Sequence, residues 1–482
     1  MLSSESYKEF GLKKLAFEKS IKFLTWFFLF SCTILYELIV LINYKIAVSY
    51  FSLTFTFGLS LYTCLFIFNL LILKNYPTLL LFNLIMSAPI LDLWNFVIFR
   101  VRTTFYIQFW RDDLLIDSLL FSLWSPIFIG ISYWFLFGKD NNSGLDCPIV
   151  RSIKIDSKEL RKLLKVSLSI LFIGLMISGR YGENIFVSGG YGKGRVETLL
   201  GLSIFSEATI LPLLGLISIS NSYKERKLPV FLVLIFSVYN FLFGARIEAV
   251  QLWLLVLLCF WWKKLSLRNI MFIIVIVYLV SLYINAVRAL GRLVLPSEVT
   301  KALFMIPKSE YISSTQGDIY YNLLIAIGLI KDKIIELRYG VYYLTLLPVS
   351  FMPYKFAISL FGEVALPPSY IFRVYTGHGI GSYFISAMIL NFWILAVIFM
   401  FFYIFIYCYL SKILLYKFSR HQNLGIFAIV WVATLPRSLW YGDVTFIKLG
   451  IWSIIFIRFL IYCIEALNII FSYKKKNSKG RF

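Results

Sequence analysis

From Phe23 to the C-terminal tail the chain alternates between long apolar runs and short polar segments rich in lysine. An apolar run of about 18 residues or more crosses a hydrocarbon layer of roughly 30 Å as a helix. The runs are continuous rather than alternating at every second position, so they predict helices and not a barrel. Read in order, spans are expected near 23–43, 50–73, 77–99, 114–137, 166–179, 199–219, 228–244, 249–262, 270–287, 379–410, 423–434 and 444–466. The run at 379–410 is overlong, so it is expected to tilt or to begin outside the lipid. The pattern predicts an all-α polytopic integral membrane protein with about 12 transmembrane helices and a large outer loop.

Composition excludes the soluble alternative. Of 482 residues, 60% are hydrophobic and 15% charged, with a mean hydropathy of +0.81, whereas soluble domains average roughly 25% charged residues. The first run is too long for a cleavable signal peptide and carries Glu37, so it is expected to be retained. Cys32, Cys64, Cys147, Cys259, Cys408 and Cys463 mostly lie within apolar runs and form no Cys-x-x-Cys or Cys/His cluster. They point to neither a metal site nor a disulfide framework, and no cofactor is expected.

The formal net charge of +22 would suggest nucleic acid on a soluble protein, but a membrane protein concentrates Lys and Arg in its cytoplasmic segments. With the Lys-rich start inside, alternation places 139–165, 221–227, 263–268, 411–422 and the Lys474–Arg481 tail inside as well, so both termini are expected in the cytoplasm. These inner segments, with Lys74, hold 21 lysines and 6 arginines, whereas the outer segments hold 7 lysines and 11 arginines. Topology requires only positive charge and does not explain that reversal. Arginine grips phosphate through a planar donor fork that lysine lacks. The reversal therefore predicts an anionic, phosphorylated ligand on the outer face.

The largest outer segment runs from Arg288 to His378 within a single transmembrane domain over 1–482 that shows no internal repeat or linker. Its apolar middle, Tyr342 to Leu360, is broken by Pro348 and Pro353 and suits a re-entrant or interfacial element.

Several constellations could carry chemistry. Arg180, Glu183, Lys193, Arg195 and Glu197 lie in a glycine-rich loop whose backbone N–H groups could cradle phosphate oxygens, or whose glycines simply allow turns. Arg246 and Glu248 sit in a tight turn between two apolar runs, where ionisable groups face a partner or snorkel. Arg288 and Arg292 share a helix face at a spacing of four and either grip a diphosphate or anchor at the interface. Arg373 and Arg437 are further outer arginines, and His378, at the mouth of a span, is placed for general-base or structural duty. The intramembrane acids Glu37, Asp92, Asp117 and Glu207 leave a proton or ion pathway open.

The outer arginines, the Gly244-Ala-Arg246 turn, the Pro-rich Leu347–Lys355 piece and the stretch Gly381-Ser382-Tyr-Phe-Ile-Ser386-Ala-Met-Ile-Leu-Asn391-Phe392 together resemble the Wzy-type O-antigen and polysaccharide polymerases over residues 166–466. The resemblance implies a metal-independent GT-C-like glycosyltransferase in the bacterial inner membrane. It would transfer a glycan from undecaprenyl pyrophosphate to another lipid-linked repeat unit on the periplasmic face. Its implied partners are the undecaprenyl-pyrophosphate-linked glycan, the lipid bilayer and a chain-length regulator protein, with no nucleic acid. Arg246 matches the family's arginine turn; Arg180, Arg195, Arg288 and Arg292 correspond to its loop arginines. Family members often carry an acid where Ser386 stands, and the catalytic base stays open among His378, Glu248 and Glu197. A lipid-linked oligosaccharide flippase would also have about 12 spans, and an O-antigen ligase would use the same donor.

Overall fold

The computed structural model describes residues 4–99, 108–138, 162–169, 315–345, 354–362, 368–376, 381–416, 422–441 and 444–479, with isolated positions between 231 and 275. Among the described residues every regular element is a helix. They are α1 (Ser4–Ile42), α2 (Tyr44–Ser49), α3 (Phe51–Leu73), α4 (Pro77–Met86), α5 (Ile90–Phe99) and α6 (Asp112–Phe137), followed by α7 (Thr315–Lys331), α8 (Tyr354–Phe361) and α9 (Pro368–Thr376), then α10 (Phe384–Phe392), α11 (Ala396–Tyr416), α12 (Gln422–Tyr441) and α13 (Val444–Lys479). The chain divides into two units: Met1–Ser143 with Phe304–Gly340 and Pro367–Cys408, and Gly144–Leu303 with Val341–Leu366 and Tyr409–Phe482.

Among the described residues five segments are, by length and composition, long and apolar enough to cross a membrane: Phe17–Ile42, Phe51–Leu73, Asp112–Phe137, Phe384–Ile413 and Asn423–Trp440. Only 28% of the α1 window is buried against 72% of the α6 window, so α6 is the central helix of the first unit and α1 presents its side chains outward. Ile42, Leu53 and Phe135 are each at least 74% exposed, which suits hydrocarbon and would be costly in water. This architecture fits an all-α membrane protein. The described residues do not supply the expected 12 spans; those at 199–219, 228–244, 249–262 and 270–287, and most of 166–179, lie outside them.

Three expected features are corrected. The span at 77–99 is two short helices separated at Ser87-Ala88-Pro89. Proline lacks an N–H and disfavours helix in the residue before it. Ile90 N–H turns to Ser87 O at 3.0 Å, which frees the Met86 carbonyl. Tyr383 OH donates to that carbonyl at 2.9 Å. Pro126, by contrast, stays inside α6. There the Ser125 hydroxyl donates to Ser122 O at 2.9 Å, which replaces the bond that Pro126 cannot make.

The run at 379–410 does not form one continuous helix. Trp393 adopts φ +50° between α10 and α11, and the Phe392 and Phe399 rings stack 3.6 Å apart. Phe384 and Tyr403 rings lie 5.3 Å apart, whereas on one continuous helix their separation along the axis would be about 28 Å. α10 therefore folds back along α11, which descends past α4 with Tyr407 OH donating to Thr78 O at 3.2 Å.

The third correction concerns the large outer loop. Within it, α7 is a core helix: Ile319, Tyr320, Tyr321, Leu323, Leu324, Ile325, Ala326, Ile327 and Leu329 are all buried. It packs against α5, α6, α9 and α10. Its apolar stretch, Ile319–Lys331, is about 20 Å long and cannot cross the bilayer alone. In the second unit, α12 and α13 pair around Val430 and Leu449 with Trp452 and Phe456 against them, and Arg458 donates to Asn423 Oδ1 from Nη2 at 2.9 Å.

Candidate functional site

Two polar assemblies stand out in the first unit. The first joins the start of α2, the start of α6 and the end of α7. Arg111 precedes α6 in an extended conformation, and Asp112 and Asp113 occupy its first turn, where negative charge complements the helix dipole. Lys331 occupies the last turn of α7, where positive charge does the same. Lys331 Nζ lies 2.8 Å from Asp117 Oδ2 and 3.1 Å from Asp113 Oδ2. It also donates to Tyr44 OH at 2.8 Å and sits 4.8 Å above that ring. Arg111 clasps Asp332 with both forks, Nη1 to Oδ2 at 3.0 Å and Nη2 to Oδ1 at 3.1 Å, and reaches Asp113 Oδ1 from Nε at 3.2 Å.

Two cations face three carboxylates there, so the cluster carries one net negative charge and both cations are engaged. It offers no free fork to a phosphate. Exposure runs from 41% for the Arg111 side chain to 16% for Asp117, so each single pair is worth about 1 kcal/mol or less and the network more. Partial burial works against the Lys331 charge, but hydrogen bonds with Asp117 and Tyr44 outweigh it and hold that amine above the ordinary lysine range. Burial pushes the Tyr44 hydroxyl up to about 12.

The second assembly surrounds the break between α4 and α5. Asn69 Nδ2 donates to Pro126 O at 2.8 Å and to Asn83 Oδ1 at 3.3 Å, and Asn83 Nδ2 reaches Phe66 O at 3.4 Å. Ser118 and Tyr320 share a hydrogen bond between hydroxyls. Asn322 Nδ2 holds Gly381 O at 2.8 Å and so fixes the approach to α10. Glu37 and Asp92 are buried in this unit, whereas Asp117 belongs to the ionic cluster. Among the described residues no group of three or more His, Cys, Asp or Glu side chains is placed to hold a metal ion.

Of the residues singled out from sequence, Arg180, Arg195, Glu197, Glu207, Arg246, Glu248, Arg288, Arg292 and His378 lie outside the described residues. Arg373 is exposed in the last turn of α9, which packs on α7 and α10. Arg437 is half-buried in α12 directly after Pro436. Sequence reasoning missed the ionic cluster, whose only local signals are the Arg111-Asp112-Asp113 and Lys331-Asp332 charge pairs. No protein-family model, curated protein or solved structure matches the chain.

Proposed function

We propose that the chain is a polysaccharide repeat-unit polymerase of the bacterial inner membrane, with about 12 spans, both termini cytoplasmic and its reaction on the periplasmic face. The observation that carries this reading is the reversal from lysine inside to arginine outside, 21 Lys and 6 Arg against 7 Lys and 11 Arg. The ionic cluster supports the topology behind that count, because alternation assigns Tyr44, Arg111 to Asp113 and Lys331 to the outer side, and the cluster joins all of them.

In this reading an acceptor sugar hydroxyl attacks the anomeric carbon of an undecaprenyl-pyrophosphate-linked glycan. The new glycosidic bond forms as the bond to pyrophosphate breaks, the proton passes to a base drawn from Glu197, Glu248 and His378, and undecaprenyl pyrophosphate leaves. Arg180, Arg195, Arg246, Arg288, Arg292, Arg373 and Arg437 supply the forks that hold the pyrophosphate and stabilise its developing charge. Arg111 is outside this set because its fork already holds Asp332 and Asp113.

Replacing Arg246 or Arg288 with Lys keeps the charge and removes the fork. The proposal expects shortened surface polysaccharide from a protein that still inserts; normal chain length from both variants contradicts the pyrophosphate role.

A further inference from the structure

α10 begins inside the protein. Tyr383 precedes it with φ −66° and ψ +136°, no side chain caps its first turn, and that turn contains no acidic residue. The first N–H groups of a helix have no partner within the helix, and here Tyr383, Phe384, Ile385 and Ser386 are all at most 1% exposed. Tyr383 cannot serve as the cap because its hydroxyl is committed to Met86 O.

Two hydroxyls flank the same helix end. Ser382 and Ser386 are 1% and 0% exposed, and neither Oγ has a hydrogen-bond partner. Ser382 lies just before the N-cap residue Tyr383, and Ser386 is the third residue of α10. The Cα–Cβ bond of Ser386 tilts toward the helix N-terminus, as every helical Cβ does. Ser118, Ser125 and Ser453 satisfy their hydroxyls on a carbonyl three or four residues back; Ser386 does not. Three buried backbone N–H groups and two unpartnered serine hydroxyls thus lie within five residues of one another at one helix start.

We infer that the N-terminus of α10 binds a small monovalent anion of halide size, held by the N–H groups of Phe384 to Ser386 and the hydroxyls of Ser382 and Ser386. The helix end carries roughly half a unit of positive charge, which with neutral donors complements one negative charge and not two. A pyrophosphate would require cationic forks, and the described residues of α10 carry none. Half-helix N-termini buried at membrane depth serve anionic groups elsewhere in this way.

Equilibrium binding of radiolabelled chloride to the purified full chain in detergent, with gluconate as the replacement anion, tests the inference. One saturable site per chain is expected. Ser382→Ala with Ser386→Ala removes both side-chain donors and lowers affinity about tenfold or more. Ser386→Asp places a carboxylate at the helix start and is expected to abolish chloride binding while the melting temperature holds or rises. Absence of saturable chloride binding to the unaltered chain overturns the site whatever the variants do. Unchanged affinity in the double variant overturns it as well.

Discussion

Lys331 meets Asp117 across 214 residues of chain, Nζ to Oδ2 at 2.8 Å. That contact ties the end of a helix from the middle of the sequence to the central helix of the N-terminal part. Replacing Lys331 with Ala leaves Asp113 and Asp117 half-buried without their shared cation, which should destabilise the protein by about 1–3 kcal/mol. Combination with Asp117→Asn in a double-mutant cycle, read by thermal unfolding in detergent, should show a favourable coupling. Strict additivity of the two changes would show that the pair does not interact.

The same amine sets a pH window. A group whose folded pKa is raised contributes stability fully below its ordinary value, here 10.5, and loses it as pH rises through the folded value. The share that Lys331 contributes should therefore hold through neutral pH and fall on the alkaline side, whereas Asp113, whose carboxyl Lys331 and Arg111 hold below the ordinary range despite partial burial, loses its share on the acid side. Lys331→Met should flatten that alkaline loss in a melting-temperature profile. An identical profile in the variant would assign the loss to other groups.

Tyr383→Phe removes the donor to Met86 O at the break between α4 and α5. A buried carbonyl left unmet costs about 1–3 kcal/mol. The melting temperature should fall accordingly, and no fall would mean that another donor reaches that carbonyl.

Gly340 adopts φ +77°, and an added Cβ would come within 2.7 Å of the Phe392 ring. The turn also joins α10 through Arg338 N–H, which donates to Leu390 O at 3.2 Å. Gly340→Ala combines left-handed strain with a clash against an aromatic ring, for a loss of about 1–3 kcal/mol. Gly362, also at positive φ but with open space around it, should suffer less from the same change, and a reversed order would refute the packing argument.

The helices long and apolar enough to cross a membrane as plain rods were legible in the sequence. α3, α6 and most of α1 and α12 fall on expected runs because hydrophobic length alone specifies them. The break at Pro89 had its signal in the proline itself, whereas the bend at Trp393 had none, since neither glycine nor proline marks it. α7 was hidden for a different reason. A short helix that is apolar nearly all round is buried by neighbours distant in sequence, and periodicity does not reveal them. The ionic cluster is equally non-local, with Asp332 reaching Arg111 over 221 residues. Among the proposed site residues, Arg373 and Arg437 are placed by the structure; Arg246, Glu248 and His378 rest on the sequence.

Profiling of surface polysaccharide from a strain lacking this protein, complemented with the unaltered chain, Arg246→Lys or Arg111→Lys, tests the central claim most directly. The polymerase reading predicts that the deletion loses long chains while single repeat units still reach the surface. Complementation by the unaltered chain and by Arg111→Lys should restore length, and Arg246→Lys should not. Accumulation of single units with no glycan on the surface, or an unchanged ladder in the deletion strain, would contradict it.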